Sequence, residues 1–294
     1  MGSNRVRVSF ELYPPRKPEA IEATWETVSE LAQWDPQCVS VTYPSTAPGR
    51  RASHALVERI IAESAVAPVA HLTVTGSSRA DLKAHVRWLF SLGLRDVLAL
   101  RGDPPPGQEW TTYPGGLDFA SELVELVREV EHEDGVEGVT VGCAVSAQPQ
   151  AALRRAEAGY LLAKERAGAD YAITQLFYDA AEYVRLVAAA RAAGVTIPII
   201  PGIIPLTDPP RLERLAALTG VDVPPAVAAL ANFPEEERFD RGIALTADLV
   251  EATLAAGAQR IHIFTFNQAR PAGALCAELA ARDLLHPLPT KGLA

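Results

Sequence analysis

The sequence predicts an α/β protein that forms one domain, a (β/α)8 barrel over residues 1–294. Eight apolar segments of strand length alternate with segments of helical periodicity. Several of the apolar segments end in a polar residue beside proline or glycine, as strands do where they open into functional loops. No linker rich in proline, glycine and serine divides the chain, so we expect a single barrel.

The predicted strands share short apolar runs bounded by turn-forming residues. In order they are Arg5–Leu12, Gln37–Tyr43, Pro68–Thr75, Asp96–Leu100, Gly138–Val145, Asp170–Gln175, Thr196–Ile200 and Arg260–Phe266. The predicted helices share apolar residues spaced three and four apart. They are Ile21–Leu31, about 53–63, Arg79–Leu92, Leu117–Val130, Ala151–Ala167, Ala180–Ala193 and about 269–281. Extra helices are predicted at about 205–256, between strands seven and eight, and a frayed tail from about 286.

The fourth predicted strand has the most informative end. Its apolar run stops at Leu100 and is followed by Arg101, Gly102, Asp103 and three prolines. Glycine allows the backbone to turn and the prolines prevent the strand from continuing. Arg101 and Asp103 therefore lie at the carboxyl edge of the sheet, where α/β proteins place their chemistry. The alternative is a solvated Arg–Asp pair in an ordinary loop.

A doubly wound sheet is the alternative fold, and the sequence disfavours it. Such a sheet usually carries a glycine-rich phosphate loop after its first strand, whereas residues 13–17 contain no glycine. Neither a G-x-G-x-x-G fingerprint nor a P-loop occurs anywhere in the chain. Nucleotide binding by those two devices is therefore excluded.

Composition restricts the partners and the compartment. A net charge of −9 disfavours nucleic acid and anionic membranes as partners, and no apolar run approaches the length of a membrane span. Cys38, Cys143 and Cys276 are far apart and indicate buried thiols in a reducing compartment. The first residues carry no signal-peptide pattern, so we expect a cytoplasmic protein. An excess of arginine over lysine and abundant alanine suggest a bacterial source.

Seven polar residues should meet at the carboxyl face of the barrel. They are Glu11, Thr42, His71, Arg101, Asp103, Gln175 and Asn267. They include no metal-ligand spacing, and no serine has a nearby histidine to activate it. Such a set can bind a polar heterocycle, stabilise a cation and move a proton. Two alternatives stay open: His71 as a satisfied core histidine, and Asp103 as a loop cap or a partner of Arg101.

Six ordered fragments resemble one family. They are Ser9-Phe10-Glu11 with Pro14-Pro15, residues 39–43, His71-Leu72-Thr73, residues 99–103, residues 167–179 with Gln175, and residues 199–203. Together they resemble methylenetetrahydrofolate reductase over nearly the whole chain. The resemblance implies a (β/α)8 barrel that reduces 5,10-methylenetetrahydrofolate to 5-methyltetrahydrofolate with a reduced nicotinamide. In the family, an FAD on the carboxyl face relays the hydride.

The resemblance also implies residue roles. Glu11 matches the general acid that protonates N10, and Asp103 matches an aspartate that stabilises the cationic iminium. The substrate-binding residues expected in this way are Gln175, Thr42, Tyr43 and Asn267. The cofactor-binding residues expected are His71, Leu100, Arg101, Gly102 and Lys164, and Thr42 also matches a position that touches flavin in relatives. No metal is implied.

The departures from the family cluster in its flavin-holding half. The tyrosine and histidine of a Tyr-Pro-Glu-x-His loop are replaced by Ala144 and Gln148. On the next helix the Asp, Asn and Lys positions read Glu157, Tyr160 and Lys164. One further departure lies near the folate: a Leu-Asn-Arg motif reads Phe266-Asn267-Gln268 and so loses an arginine. The family's apolar or aromatic residue that often packs against nicotinamide or pterin falls near Leu215.

Three hypotheses follow from this pattern. The chain is a reductase that passes hydride directly from NADH or NADPH, with FAD absent or weakly bound. It is an ordinary FAD-dependent reductase with substituted contacts. Or it is a folate-binding or regulatory homologue without turnover, which the retention of Glu11 and Asp103 disfavours. The expected partners are a folate and a nicotinamide nucleotide, and the oligomeric state is left open.

Overall fold

The fold is a parallel (β/α)8 barrel, as the sequence predicts. A computed structural model describes residues 5–104, 109–147 and 150–286. The predicted tail beyond residue 286 and the substituted Gln148 lie outside the described residues. The strands are β1 Arg7–Leu12, β2 Val39–Val41, β3 Pro68–Thr73, β4 Asp96–Leu100, β5 Thr140–Val145, β6 Tyr171–Thr174, β7 Ile199–Ile200, β8 Gly202–Ile203 and β9 Arg260–Phe264.

The seventh predicted strand is the one that closes the barrel, and it is split at Pro201. The strand order is β7-β6-β5-β4-β3-β2-β1-β9-β8, with every pairing parallel. Because β7 pairs with β6 and β8 pairs with β9, residues 199–203 act as one strand with a different neighbour on each half. Proline has no N–H to give, but the Pro201 carbonyl accepts from the His262 amide at 2.9 Å. The sequence predicted this strand over residues 196–200, whereas the paired residues are 199–200 and 202–203. The predicted strand therefore began about three residues too early and ended about three residues too early.

The helices run between the strands on the outside of the barrel. They are α1 Ile21–Ala32, α2 Ala47–Glu63, α3 Arg79–Ser91, α4 Ala120–Glu133, α5 Ala151–Arg166, α6 Ala180–Ala192, α7 Pro209–Thr219, α8 Pro225–Ala228, α9 Glu235–Ala255 and α10 Ala269–Ala281. Helices α7, α8 and α9 occupy the long connection between β8 and β9. In the described part of the chain, no helix combines the length and apolar composition that a membrane crossing needs.

Two helices begin elsewhere than predicted because of their capping groups. Helix α2 starts at Ala47 and not near residue 53, since the Thr46 side chain accepts from the Gly49 amide and a proline occupies the first turn. Helix α4 starts at Ala120 and not at Leu117, since the Glu122 carboxylate accepts from the amides of residues 118 and 119. Local hydrogen bonds, and not hydrophobic periodicity, set both boundaries.

Three apolar clusters form the core. The largest packs the outer faces of the strands against the surrounding helices. A second, inside the barrel, consists of Val69, Leu98, Ile173 and Ile200. A third, which we call the mouth cluster, is formed by residues that follow β6 and β8, with α7 and its neighbours. Its buried members are Leu176, Ile204, Leu206, Leu212, Val227 and Leu230.

Polar residues form the layer between the inner cluster and the mouth cluster. Ser9 pairs in register with His262, and Glu11 pairs with Ser40 on one side and Phe264 on the other. Paired residues of parallel strands point to the same face of the sheet, and side chains alternate along each strand. The barrel interior therefore changes from apolar to polar toward the carboxyl ends of its strands.

Candidate active site

Glu11 is the central ionisable group of this layer. It is the penultimate residue of β1 and its side chain is buried. Burial raises the pKa of its carboxyl group to about 8, since removal from water disfavours the charged form. At neutral pH Glu11 is therefore a protonated acid that can donate a hydrogen.

Two buried histidines flank the Glu11 carboxyl group. His71 Nε2 lies 3.8 Å from Glu11 Oε2, and His262 Nε2 lies 4.0 Å from the same oxygen. Burial lowers the pKa of His71 to about 3, with His262 adding to the effect, and lowers the pKa of His262 to about 4. Both rings are neutral at neutral pH, so neither supplies the positive charge that would lower the pKa of Glu11.

His262 was missed at the sequence level. It lies in the middle of β9, and its ring is held by Ser9 Oγ at 2.8 Å from Nδ1 and by Ser40 Oγ at 3.4 Å from Nε2. The available signal was a histidine two residues before Phe264 within an otherwise apolar strand. That signal indicates that the His262 side chain points into the barrel. It does not indicate that Glu11 is its neighbour, because β1 and β9 are at opposite ends of the sequence.

Several buried polar atoms near the strand ends have no hydrogen-bond partner among the described residues. They are His71 Nε2, Thr42 Oγ1, Thr73 Oγ1 and Tyr178 Oη. Buried polar groups are nearly always paired with protein, water or ligand. Within the described chain, His71 Nε2 therefore lacks the hydrogen bond that a satisfied core histidine would have.

Asn267 joins the ends of β9 and β1. Its side-chain amide donates to the Tyr13 carbonyl at 2.8 Å, and its Oδ1 accepts from the Tyr13 amide at 2.8 Å. Phe266 and Asn267 both adopt positive φ, at 51° and 55°, which turns the chain sharply after the strand. The residue predicted to bind substrate thus uses both ends of its amide to hold the backbone beyond Glu11.

The β4 end has the sharp turn that the sequence predicts. Gly102 has a φ of 79°, and a Cβ there would lie 2.4 Å from Thr75 Oγ1, so only glycine fits. The Arg101 guanidinium lies over Trp110, 4.0 Å from the ring centre. Among the described residues Arg101 and Asp103 form no ion pair, and Asp103 is exposed after the strand. Leu100, the last residue of β4, packs against the inner cluster.

The remaining predicted residues have separate surroundings. The Gln175 side chain is exposed and its Oε1 accepts from the Leu176 amide at 2.9 Å. Thr42 accepts from Ser53 through its backbone carbonyl, which leaves its hydroxyl available. Tyr43 packs against His85, with ring centres 4.8 Å apart. The structure thus places these residues after β2 and β6.

The segment that corresponds to the family's flavin-holding half is folded onto itself. Lys164 donates from Nζ to the Ala144 carbonyl at 2.7 Å, and Glu157 accepts from the Ser146 amide at 3.3 Å. Tyr160 is 59% exposed on the outer side of α5. In the described part of this segment, Lys164 and Glu157 are therefore hydrogen-bonded to the β5–α5 backbone.

The described residues offer no metal site and no activated thiol. No group of three or more histidine, cysteine, aspartate and glutamate side chains among them is arranged to hold a metal ion. Burial raises the pKa of Cys38, Cys143 and Cys276 to between about 11 and 12, so the thiols stay protonated. The chemistry that the site supports is proton donation by Glu11, which is buried beside two neutral histidines.

Comparison with known proteins shows the family of the chain. The family model for methylenetetrahydrofolate reductase matches residues 1–280. The 5,10-methylenetetrahydrofolate reductase of Escherichia coli (strain K12) is 30% identical over 281 residues, which cover 95% of this chain and 92% of the relative. The enzyme of the same name from Pectobacterium carotovorum subsp. carotovorum is 32% identical over 284 residues, with 95% and 91% covered.

A solved structure has the same fold. A Clostridium thermocellum protein described as binding two copies of 5-methyl-5,6,7,8-tetrahydrofolic acid aligns with a TM-score of 0.66 at 13% identity, over 96% of each chain. At this identity the likeness concerns the fold alone. The match of the family model over nearly the whole chain and the two bacterial relatives decide the family, and their shared name indicates an enzyme of this kind. The chain belongs to the methylenetetrahydrofolate reductase family.

Proposed function

We propose that this chain reduces 5,10-methylenetetrahydrofolate to 5-methyltetrahydrofolate with hydride taken directly from NADH or NADPH, without a tightly bound flavin. The observation that carries the proposal is the buried, protonated Glu11 at the family's general-acid position, beside two neutral histidines. Membership of the family supports methylenetetrahydrofolate reduction. Beyond the family's reaction, we propose that NADH or NADPH is the hydride donor and that the hydride passes directly to the folate.

Glu11 would start the reaction by protonating N10 of the folate. Protonation allows the bond between N10 and the methylene carbon to break, which leaves a cationic iminium at N5. Hydride then adds to the methylene carbon, giving the N5-methyl product and the oxidised nicotinamide. Glu11 is left as a carboxylate and regains one proton from solvent. An acid with a pKa near 8 is suited to this step, because it is protonated at neutral pH and still donates readily.

Asp103 would stabilise the iminium cation. It follows β4 on the same face of the barrel as Glu11, and among the described residues no ion pair neutralises it. A fixed negative charge near a developing cation stabilises the transition state more than the neutral substrate. Asp103 is therefore the electrostatic partner of the general acid in this proposal.

The self-contained β5–α5 segment supports the absence of a tightly bound flavin. Lys164 and Glu157 hydrogen-bond to the backbone of their own segment, and Ala144 stands where the family has tyrosine. Each lost hydrogen bond to a polar ligand group is worth about 1–3 kcal/mol. Three such losses would weaken flavin binding by roughly 10²–10⁶-fold.

The absorption spectrum and the kinetics of the purified protein test this function. We expect a colourless protein that oxidises NADH or NADPH with methylenetetrahydrofolate and no added flavin. Direct transfer requires both substrates together, so initial-rate plots should intersect and not run parallel. A stoichiometric flavin spectrum, or dependence on added FAD, would instead support the family's flavin mechanism. Folate binding without turnover would identify a non-catalytic homologue.

A further inference from the structure

Arg50, in the first turns of α2, joins two loops at the carboxyl face of the barrel. Its Nη1 donates to Ser77 Oγ at 2.9 Å, and its Nη2 donates to the Thr75 carbonyl at 2.8 Å. Its guanidinium carbon also lies 5.3 Å from the centre of the Tyr43 ring. Thr75 and Ser77 belong to the loop between β3 and α3, and Tyr43 belongs to the loop between β2 and α2. One side chain therefore connects two consecutive loops.

Thr75 extends this connection to a third loop, the one that follows β4. Its Oγ1 donates to the Arg101 carbonyl at 3.1 Å. Gly102 packs so closely here that a Cβ would collide with the same hydroxyl oxygen. Arg50 thus fixes the Thr75 carbonyl, and the Thr75 hydroxyl fixes the Arg101 carbonyl. We call Arg50 and Thr75 the loop clamp, because together they hold the turn that leads into Asp103.

The guanidinium of Arg50 contributes geometry more than charge pairing. Both of its acceptors are uncharged oxygens, one of a hydroxyl group and one of a carbonyl group. Other arginines of this chain, such as Arg59 and Arg282, direct the same group at carboxylates. A guanidinium is a rigid, planar fork, so its nitrogens bind two acceptors at a fixed separation. The contacts of Arg50 therefore set the distance between neighbouring loops.

Asp103 depends on this turn for its position. Among the described residues its side chain makes no hydrogen bond and no ion pair, so the backbone after Arg101 decides where its carboxylate lies. A charge stabilises a transition state best when it is held in place beforehand, and a displacement of about 1 Å can cost roughly 100-fold in rate. We propose that Arg50 is a positioning residue for the reaction, which holds the Asp103 carboxylate in place through Thr75. This inference rests on the proposed function for the role of Asp103.

The first test compares Arg50→Lys with Arg51→Lys, a change at the exposed neighbouring residue of the same helix. Lysine keeps the positive charge but donates from one atom, so it does not reach both acceptors of the fork. We expect Arg50→Lys to lower kcat about 3–10-fold, no more than removal of the Asp103 charge does, and Arg51→Lys to match wild type. Wild-type kcat in Arg50→Lys would show that the charge alone suffices and would overturn the proposal.

A double-mutant cycle tests whether Arg50 acts through Asp103. Once Asp103→Asn has removed the carboxylate, its position no longer matters. Arg50→Lys should then lower kcat by less than about twofold in the Asp103→Asn background. The same factor in both backgrounds would mean that the two residues act independently, for instance with Arg50 acting through Tyr43, and would overturn the proposal.

Thr75 provides a pair of variants that differ in the hydroxyl group. Thr75→Val removes the donor to the Arg101 carbonyl and nearly preserves the shape of the side chain, so its kcat should fall by about the same factor as that of Arg50→Lys. Thr75→Ser keeps the donor and should recover most of that loss. Wild-type kcat in Thr75→Val, or equal loss in both variants, would exclude this hydroxyl as the connection and overturn the proposal.

Crystal structures of wild type and Arg50→Lys separate this inference from the proposed function. We expect the Asp103 carboxylate to move by about 1 Å or more in the variant while β4 stays in place. If wild type does not turn over, the proposed function fails, and the structures still decide whether Arg50 holds the turn. If wild type is active and the turn is not displaced, the inference fails alone. Melting temperatures within a few degrees of wild type would confirm that the variants are folded.

Discussion

The surroundings of Glu11, and not one specific partner, keep its proton in place. Two imidazole nitrogens lie 3.8 and 4.0 Å from its Oε2, and the low pKa values of His71 and His262 keep both rings neutral. A protonated histidine at that distance would lower the pKa of the carboxyl group. Buried neutral neighbours therefore keep a carboxylic acid protonated at neutral pH.

Replacing Glu11 with glutamine should remove the proton donor and preserve its shape. We expect Glu11→Gln to lower kcat roughly 10²–10⁴-fold, the usual contribution of a general acid, with folate binding largely retained. Steady-state rates and calorimetric affinity check this, with the exposed Glu19→Gln as a control for loss of a carboxylate. A kcat near that of wild type would exclude Glu11 as the acid.

In the proposed function Asp103 acts through its charge, so its replacement should have a smaller effect on rate than that of Glu11 and should also weaken affinity. We expect Asp103→Asn to lower kcat about 10-fold and to raise KM for the folate several-fold, because the variant keeps the shape but not the charge. Glu109→Gln, in the same loop and equally exposed, is the matched control. If the two variants have the same kinetics, Asp103 is only part of the loop.

At the scale of elements, the sequence predicted the helices and strands but missed contacts between residues that are far apart in the sequence. Periodicity identified α10 at its observed bounds and β4 without error. The missed features depend on contacts between distant segments: His262 beside Glu11, and Arg211 beside Gln268. Glu11 itself was predictable, because a carboxylate on an apolar strand is unusual. Its two histidine neighbours were not, because a single sequence does not specify which strands pair.

The barrel closes at β7 and β8, and the packing around Gly202 in β8 can be tested by mutation. A Cβ at Gly202 would lie 2.2 Å from the Thr174 carbonyl oxygen and 2.7 Å from the Phe264 ring. Gly202→Ala should therefore lower the free energy of unfolding by about 2–4 kcal/mol, as overpacking and strand displacement do.

Urea denaturation followed by circular dichroism measures this change. The control is Gly159→Ala, because a Cβ at this position in the middle of α5 meets nothing within 4 Å. Alanine there should be neutral or stabilise the helix by about 0.5–1 kcal/mol. Equal stability of the two alanine variants would mean that the chain around Gly202 is not closely packed.

At the scale of the whole molecule, the candidate site is a polar layer between two apolar clusters. Val69, Leu98, Ile173 and Ile200 lie in the barrel interior on one side, and the mouth cluster lies at the carboxyl ends of β6 and β8. Low polarity on both sides strengthens electrostatic interactions and penalises charge. The raised pKa of Glu11 and the lowered pKa values of the two histidines are thus effects of the same arrangement.

This arrangement predicts a stability maximum near neutral pH. Burial lowers the pKa of His71 and His85 to about 3 and that of His262 to about 4, below the ordinary histidine value of 6.5. Between about pH 4.5 and 6.5 the unfolded chain binds these three protons and the folded chain does not, so stability falls with acid by about 1.4 kcal/mol per pH unit per group. Glu11 acts in the opposite direction over this range, but three histidines outweigh one carboxyl group.

Above pH 6.5 the histidines no longer contribute, and among the described groups Glu11 sets the slope. Its folded pKa of about 8 exceeds the ordinary value of 4.5, so the folded state binds the extra proton, and stability falls as pH rises from 6.5 toward 8. Urea midpoints from about pH 4.5 to 9 should trace the maximum, and Glu11→Gln should remove the decline on the alkaline side while it keeps the acid side. The activity of wild type should fall over the same alkaline range, because the ionised carboxylate has no proton to give. An alkaline decline in stability that persists in Glu11→Gln would assign the extra proton to another group.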